Sequence, residues 1–78
     1  MPLYEIAMFV DARGSSCPTP ITMTEQSLRS LRPGEVVEVY ATDPRANREF
    51  HAWARKTGHE LLDWTSDRGT YRFVIRHK

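Results

Sequence analysis

The stretch VVEVYATDPRANREFHAWARKTG, residues 36–58, encodes a strand followed by a helix with both helix ends marked. Val36 to Ala41 is β-branched and alternating, which predicts a short strand with Val37, Val39 and Ala41 facing a core and Val36, Glu38 and Tyr40 facing away. Asp43 reads as the N-cap, its side chain accepting an orphan amide, and Pro44 takes the first helical position, where no N–H is needed. Ala46, Phe50, Trp53, Ala54 and Thr57 recur at helical spacing until Gly58 supplies a left-handed terminus.

The same punctuation extends outward. Residues 4–10 alternate as a first strand, with Tyr4, Ile6, Met8 and Val10 on one face and Glu5, Ala7 and Phe9 on the other. Residues 11–16 form a turn-rich connector, and Pro18 with Pro20 starts a first helix carrying Ile21, Thr24, Leu28 and Leu31 on one stripe. Arg32-Pro33-Gly34 ends that pattern. Residues 60–65 and 70–76 read as two last strands around Ser66-Asp67-Arg68-Gly69, short enough for a hairpin. Tyr71, Phe73 and Ile75 are assigned to the core, and Arg72, Val74 and Arg76 to the opposite face. The order β-α-β-α-β-β predicts a two-layer α/β sandwich, with a mixed four-stranded sheet, both helices on one face and the other face open.

With 78 residues and no repeat or linker, residues 1–78 are expected to form a single domain. Forty percent apolar and 27% charged residues make a globular composition rather than a disordered one. The longest apolar run covers residues 6–10, far short of the roughly 20 residues of a membrane-spanning helix, so no membrane association is expected. The opening Met-Pro-Leu-Tyr-Glu lacks the basic start and apolar stretch of a secretory signal, and the single cysteine cannot form an intrachain disulfide. Both point to a reducing, cytoplasmic setting. A fold this small has little room for an enclosed cofactor pocket, so chemistry is expected at the surface and no cofactor is expected. Net charge is +1, yet residues 1–44 carry three Arg/Lys against six Asp/Glu while residues 45–78 carry eight against four. A basic second half suits an acidic protein or a nucleic acid, or is simply a solvated face.

Cys17-Pro18-Thr19-Pro20 places a thiol at the mouth of the first helix. A helix N-terminus favours an anion by about 0.3 to 1 kcal/mol, which predicts a modestly depressed thiol pKa. With Cys17 as N-cap, the prolines delete two amide donors and leave Thr19 and Ile21 to face the sulfur. They also stiffen the turn and hold the sulfur outward. Spacing alone serves a working thiol and a half-buried packing cysteine equally well. Arg13 stands four residues before Cys17 and is a candidate to steady a sulfur anion, with Asp11 opposing it. His51, His59 and His77 read as surface residues, no spacing suggests a metal site, and Trp53 and Trp64 read as core. Phe9, Tyr40, Arg72 and Arg76 on the open face would suit base stacking and phosphate contact, the basis of an alternative reading as a non-catalytic RNA- or protein-binding module. Phe9, Val36, Tyr40 and Val74 form a third candidate surface, for a homodimer, ranked below the other two readings.

Taken together, Asp11-x-x-Gly14-x-x-Cys17-Pro18-x-Pro20, Pro33-Gly34-Glu35, Thr42-Asp43-Pro44, Gly58-His59-Glu60-Leu61 and Tyr71-Arg72-Phe73-x-Ile75-Arg76 resemble the TusA, or SirA-like, family of sulfur carrier proteins from about residue 9 to the end. The resemblance implies a fold similar to the C-terminal domain of translation initiation factor three. It implies that Cys17 is the catalytic residue of a sulfurtransferase, accepting a sulfane sulfur as a persulfide and relaying it. Asp11, Gly14, Pro18 and Pro20 would be its supporting motif, and Arg13 and Thr19 candidate electrostatic or partner contacts. It further implies no cofactor and no metal. The expected partners are a donor, either a cysteine desulfurase or a rhodanese-like protein, and an acceptor sulfur-relay protein. A monomer without direct nucleic-acid binding is expected. Family members serve transfer-RNA thiolation, molybdenum-cofactor sulfur supply and sulfur oxidation. This chain departs from the family in Thr24-Glu25-Gln26, where basic residues are common, and in Ser15, where an apolar residue is usual; the partner surface is expected to differ accordingly.

Overall fold

The computed structural model describes residues 4–78. Its elements are β1 (Ile6–Ala12), α1 (Thr19–Leu28), β2 (Val36–Ala41), α2 (Ala46–Thr57), β3 (Glu60–Asp67) and β4 (Thr70–Arg76). The strands lie in the order β1-β2-β4-β3, with β1 and β2 parallel and the other two pairings antiparallel. Both helices pack on one face, giving the expected two-layer α/β sandwich.

Alternation decides what that face buries. Met8, Val10 and Ala12 pair in register with Val37, Val39 and Ala41, so their side chains share the helix side of the sheet. Val39 and Val37 in turn pair with Phe73 and Ile75. Leu28 from α1 and Phe50 and Trp53 from α2 close over them, and Phe50 stacks on Phe73 with ring centroids 4.4 Å apart. Gly58 adopts φ +85 and its N–H returns to the Ala54 carbonyl at 2.9 Å, ending α2 where expected. The last hairpin is tighter than its four-residue reading: β3 runs on to Asp67, leaving Arg68 (φ +53) and Gly69 (φ +83) as a two-residue loop whose positive φ angles match the strand twist.

Four details differ from expectation. A bulge between Ile6 and Met8 moves Ile6 beside Val36, onto the opposite face from Met8. The second face is less open than its polarity suggests, since Val36, Glu38 and Val74 are all buried. Arg72 reaches along this face to Glu38 Oε2 and to Asp63 Oδ2, the two carboxylates that flank Val74 in register. Burial of Val36 and Val74 removes them from any dimer surface. Trp64, read as core, is 50% exposed: it shares the helix face with Phe73, but β3 is the edge strand, and the indole meets the His51 ring in a T-shaped contact at 4.6 Å. His59 is not a simple surface residue either, for it stacks on Trp53 at 5.3 Å and meets His77 at 5.1 Å.

Candidate functional site

Because β1 and β2 are parallel neighbours, both end on the same side of the molecule, and the loops leaving them meet there. The first loop carries residues 13–18 and the second residues 42–45. Two hydrogen bonds tie them. The Gly14 N–H donates to Thr42 Oγ1 at 2.8 Å, and the Cys17 N–H donates to Asp43 Oδ2 at 2.8 Å. Gly14 holds φ +84, a conformation that a side chain would strain, and so aims its amide across the gap.

Asp43 is the hub of this junction. Its Oδ1 accepts the Arg45 N–H at 2.8 Å, and the Arg45 guanidinium pairs with Oδ2 at 2.9 Å, while the Asp43 side chain is only 7% exposed. These donors hold the carboxyl well below the usual carboxylate range, the Arg45 side chain contributing most. Asp43 does precede α2 as expected, but Arg45 occupies the N-cap position, so the aspartate closes an Asx turn rather than capping the helix itself.

Cys17 is half-buried, its side chain resting against the core while the neighbouring Ser16, Pro18 and Thr19 are exposed. The helix start lies one residue later than expected: Pro18 is the N-cap of α1, and Pro20 is buried in its first turn. The Thr19 N–H, expected to face the sulfur, donates instead to the Ser16 carbonyl at 3.0 Å. The predicted depression of the thiol pKa is therefore reversed. Burial pushes the Cys17 thiol up, the Asp43 carboxylate adds to the rise, and Arg45 partly offsets it.

Of the residues singled out from sequence, Gly14, Cys17, Pro18, Thr19 and Pro20 lie along this one loop and first helical turn. Asp11 and Arg13 do not join them. Arg13 Nε donates to Asp11 Oδ1 at 2.9 Å, and its guanidinium sits 5.9 Å from the centre of the Tyr40 ring. The charges acting on Cys17 come instead from Asp43, Arg45 and Glu49. Sequence reasoning does not identify Thr42 and Arg45 as site residues, and it assigns Asp43 to helix capping alone. The Thr42-Asp43-Pro44 motif was the available signal, but its contact with residue 17 exists only once the parallel strands align. Among the described residues no group of three or more His, Cys, Asp or Glu is arranged to hold a metal ion. No helix among them is long and apolar enough to cross a membrane.

A profile of the family described as sulfurtransferase TusA matches residues 8–77. The sulfur carrier protein TusA of Pseudomonas aeruginosa is 36% identical over 75 residues, covering 96% of this chain and 95% of that protein. YrkF of Bacillus subtilis is 35% identical over 95% of this chain, which spans only 40% of that longer protein. Among solved structures, a SirA-like protein from Desulfitobacterium hafniense superposes with a TM-score of 0.77 at 24% identity, covering 88% of this chain and 95% of the other, and so shares the fold. Sequence and fold together give one conclusion: this chain belongs to the TusA family of sulfur carrier proteins.

Proposed function

We propose that the protein, a single sulfur-carrier domain, relays sulfane sulfur as a persulfide on Cys17. The observation that carries this reading is the placement of Cys17: a half-buried free cysteine on a loop whose backbone is fixed by the Asp43 carboxylate at 2.8 Å. Family membership supports it. In loading, the Cys17 thiolate attacks the outer sulfur of a donor persulfide; the new S–S bond forms as the donor's own S–S bond breaks, and the donor cysteine leaves with the electron pair. The proton given up by Cys17 balances the one taken by the departing thiolate. In unloading, an acceptor thiolate attacks the outer sulfur on Cys17, and Cys17 is the leaving group.

The raised thiol pKa fits a carrier rather than a self-sufficient catalyst. At neutral pH most of Cys17 is the protonated thiol, so loading depends on a partner that supplies a base or a positive field. A persulfide is a stronger acid than its parent thiol, so the loaded form carries its charge on the outer sulfur. Donor and acceptor are therefore proteins that provide the catalytic surroundings: a cysteine desulfurase or a rhodanese-like protein upstream, and a relay protein with an accessible thiol downstream. A reducing compartment such as the cytoplasm suits a lone working thiol. Transfer-RNA thiolation, molybdenum-cofactor supply and sulfur oxidation are the candidate destinations.

The RNA-binding alternative loses its anchor, because Arg72 is engaged by Glu38 and Asp63 and Arg76 by Glu60 at 3.2 Å. Label transfer tests the relay. Protein loaded with radiolabelled sulfane sulfur should pass the label to an acceptor dithiol protein, and Cys17→Ser should neither load nor pass it; label transfer by the serine variant would refute the role of Cys17.

A further inference from the structure

Four cations lie along one side of α2 and its N-cap. At about 100° per residue, Arg45, Arg48, Arg55 and Lys56 fall within an arc of about 100° lying opposite the buried Phe50, with only Ala52 between them. The line is about 16 Å long at 1.5 Å per residue. All four side chains are exposed. Among the described residues Arg45 pairs with Asp43, whereas Arg48, Arg55 and Lys56 make no ion pair. Glu49, the one acidic residue of α2, is half-buried and off the line.

Elsewhere Arg13, Arg72 and Arg76 pair with carboxylates, while Arg29, Arg32, Arg68 and Lys78 make no ion pair among the described residues but lie outside every helix and strand. Arg72 and Arg76 face carboxylates across the sheet, and the ten residues of α1, TPITMTEQSL, contain no cation. The single acid of α1, Glu25, accepts the Trp53 indole N–H at 3.3 Å. Within the basic half of the chain, α2 is thus the one helix or strand that aligns several unpaired cations, with Arg68 and Lys78 lying outside it. Its N-terminal end adjoins the Cys17 loop, because Asp43 binds both Arg45 and the Cys17 amide.

We propose that this face of α2 is the docking surface for an acidic partner protein, whose Asp and Glu side chains pair with Arg48, Arg55 and Lys56 and bring its thiol to Cys17. The proposal rests on the sulfur-relay reading, which requires a protein to approach from the Cys17 end. A protein is favoured over a nucleic acid because the arc presents no aromatic ring on which a base could stack. Complementary charge of this kind steers approach and weakens as salt screens it.

The test compares two charge reversals of equal net effect on the full chain: Arg48→Glu with Arg55→Glu on α2, and Arg29→Glu with Arg32→Glu beyond the end of α1. All four positions are exposed, so both proteins should fold. The probes are a fluorescent polyglutamate peptide and an oligouridine, measured by anisotropy at low and physiological salt. Loading of Cys17 from inorganic polysulfide and from a persulfide-bearing donor protein is followed in parallel. The α2 pair should weaken polyglutamate binding about tenfold and the α1 pair less than about twofold, with polysulfide loading unchanged in both. Equal weakening by the two pairs would overturn the proposal, as would oligouridine binding more tightly than polyglutamate and being lost with the α2 pair. Failure of the wild-type protein to load from a persulfide-bearing donor protein would strike the sulfur-carrier reading instead, while the peptide result still decides the charge of the surface.

Discussion

The carboxylate of Asp43 accepts the backbone N–H of Cys17 at 2.8 Å, across 26 residues of sequence. It fixes the main chain behind the sulfur and simultaneously places a negative charge near it. The first effect orders the loop, and the second disfavours the thiolate.

Removing that carboxylate should loosen the loop. In Asp43→Ala, amide hydrogen exchange at Cys17 is expected to accelerate about tenfold or more, and the melting temperature to fall by roughly 5 °C. Unchanged exchange would mean that the contact does not order the loop.

The ordering should also resist acid. A carboxyl whose folded pKa is depressed contributes stability above its unfolded pKa, near 4, and that contribution is lost only as pH falls through the folded value. Asp43 lies well below the usual range, so Cys17 amide protection should persist at about pH 4 and disappear in stronger acid. Loss of protection between about pH 6 and 5 would contradict the assignment, since no depressed carboxyl titrates there.

The thiolate absorbance of Cys17 should titrate with a midpoint above the ordinary thiol value of about 8.5. Because Arg45 opposes the rise, Arg45→Ala should move the midpoint further up. A midpoint below about 8 would restore the helix-terminus effect as the dominant influence.

Phe50 is fully buried against Phe73 and Trp53, so Phe50→Ala should cost about 3–5 kcal/mol in urea unfolding. Gly58→Ala, at φ +85 and with the Lys78 Cδ 3.4 Å from the added Cβ, should cost about 1 kcal/mol. A loss below about 1 kcal/mol for the phenylalanine would show that the two layers are not joined through that ring.

What the chain revealed in advance was its periodicity and punctuation. Val37, Val39, Phe73 and Ile75 alternate in the sequence and sit on the buried face, and Gly58 ends α2 where its left-handed tolerance is used. What stayed hidden depends on tertiary proximity. Nothing local marks the bulge before Met8 that turns Ile6 to the other face, nor shows that Trp64 lies on an edge strand that α2 covers only in part. The two prolines around Thr19 fit a helix beginning at either of two positions, and the one-residue difference decides whether an amide points at the sulfur. Asp43 reads from sequence as a helix cap; the structure shows an Asx turn there, and the grip of Asp43 on Cys17 appears only when β1 and β2 align in parallel.

The most direct measurement is intact-mass analysis after incubation with a persulfide donor, for the wild-type chain and Cys17→Ser. The wild-type chain should gain the mass of one sulfur atom, reversible by reductant, and the serine variant should gain none while unfolding at nearly the same temperature. An unmodified wild-type chain across several donors, or a serine variant that takes up sulfur elsewhere, would contradict the account.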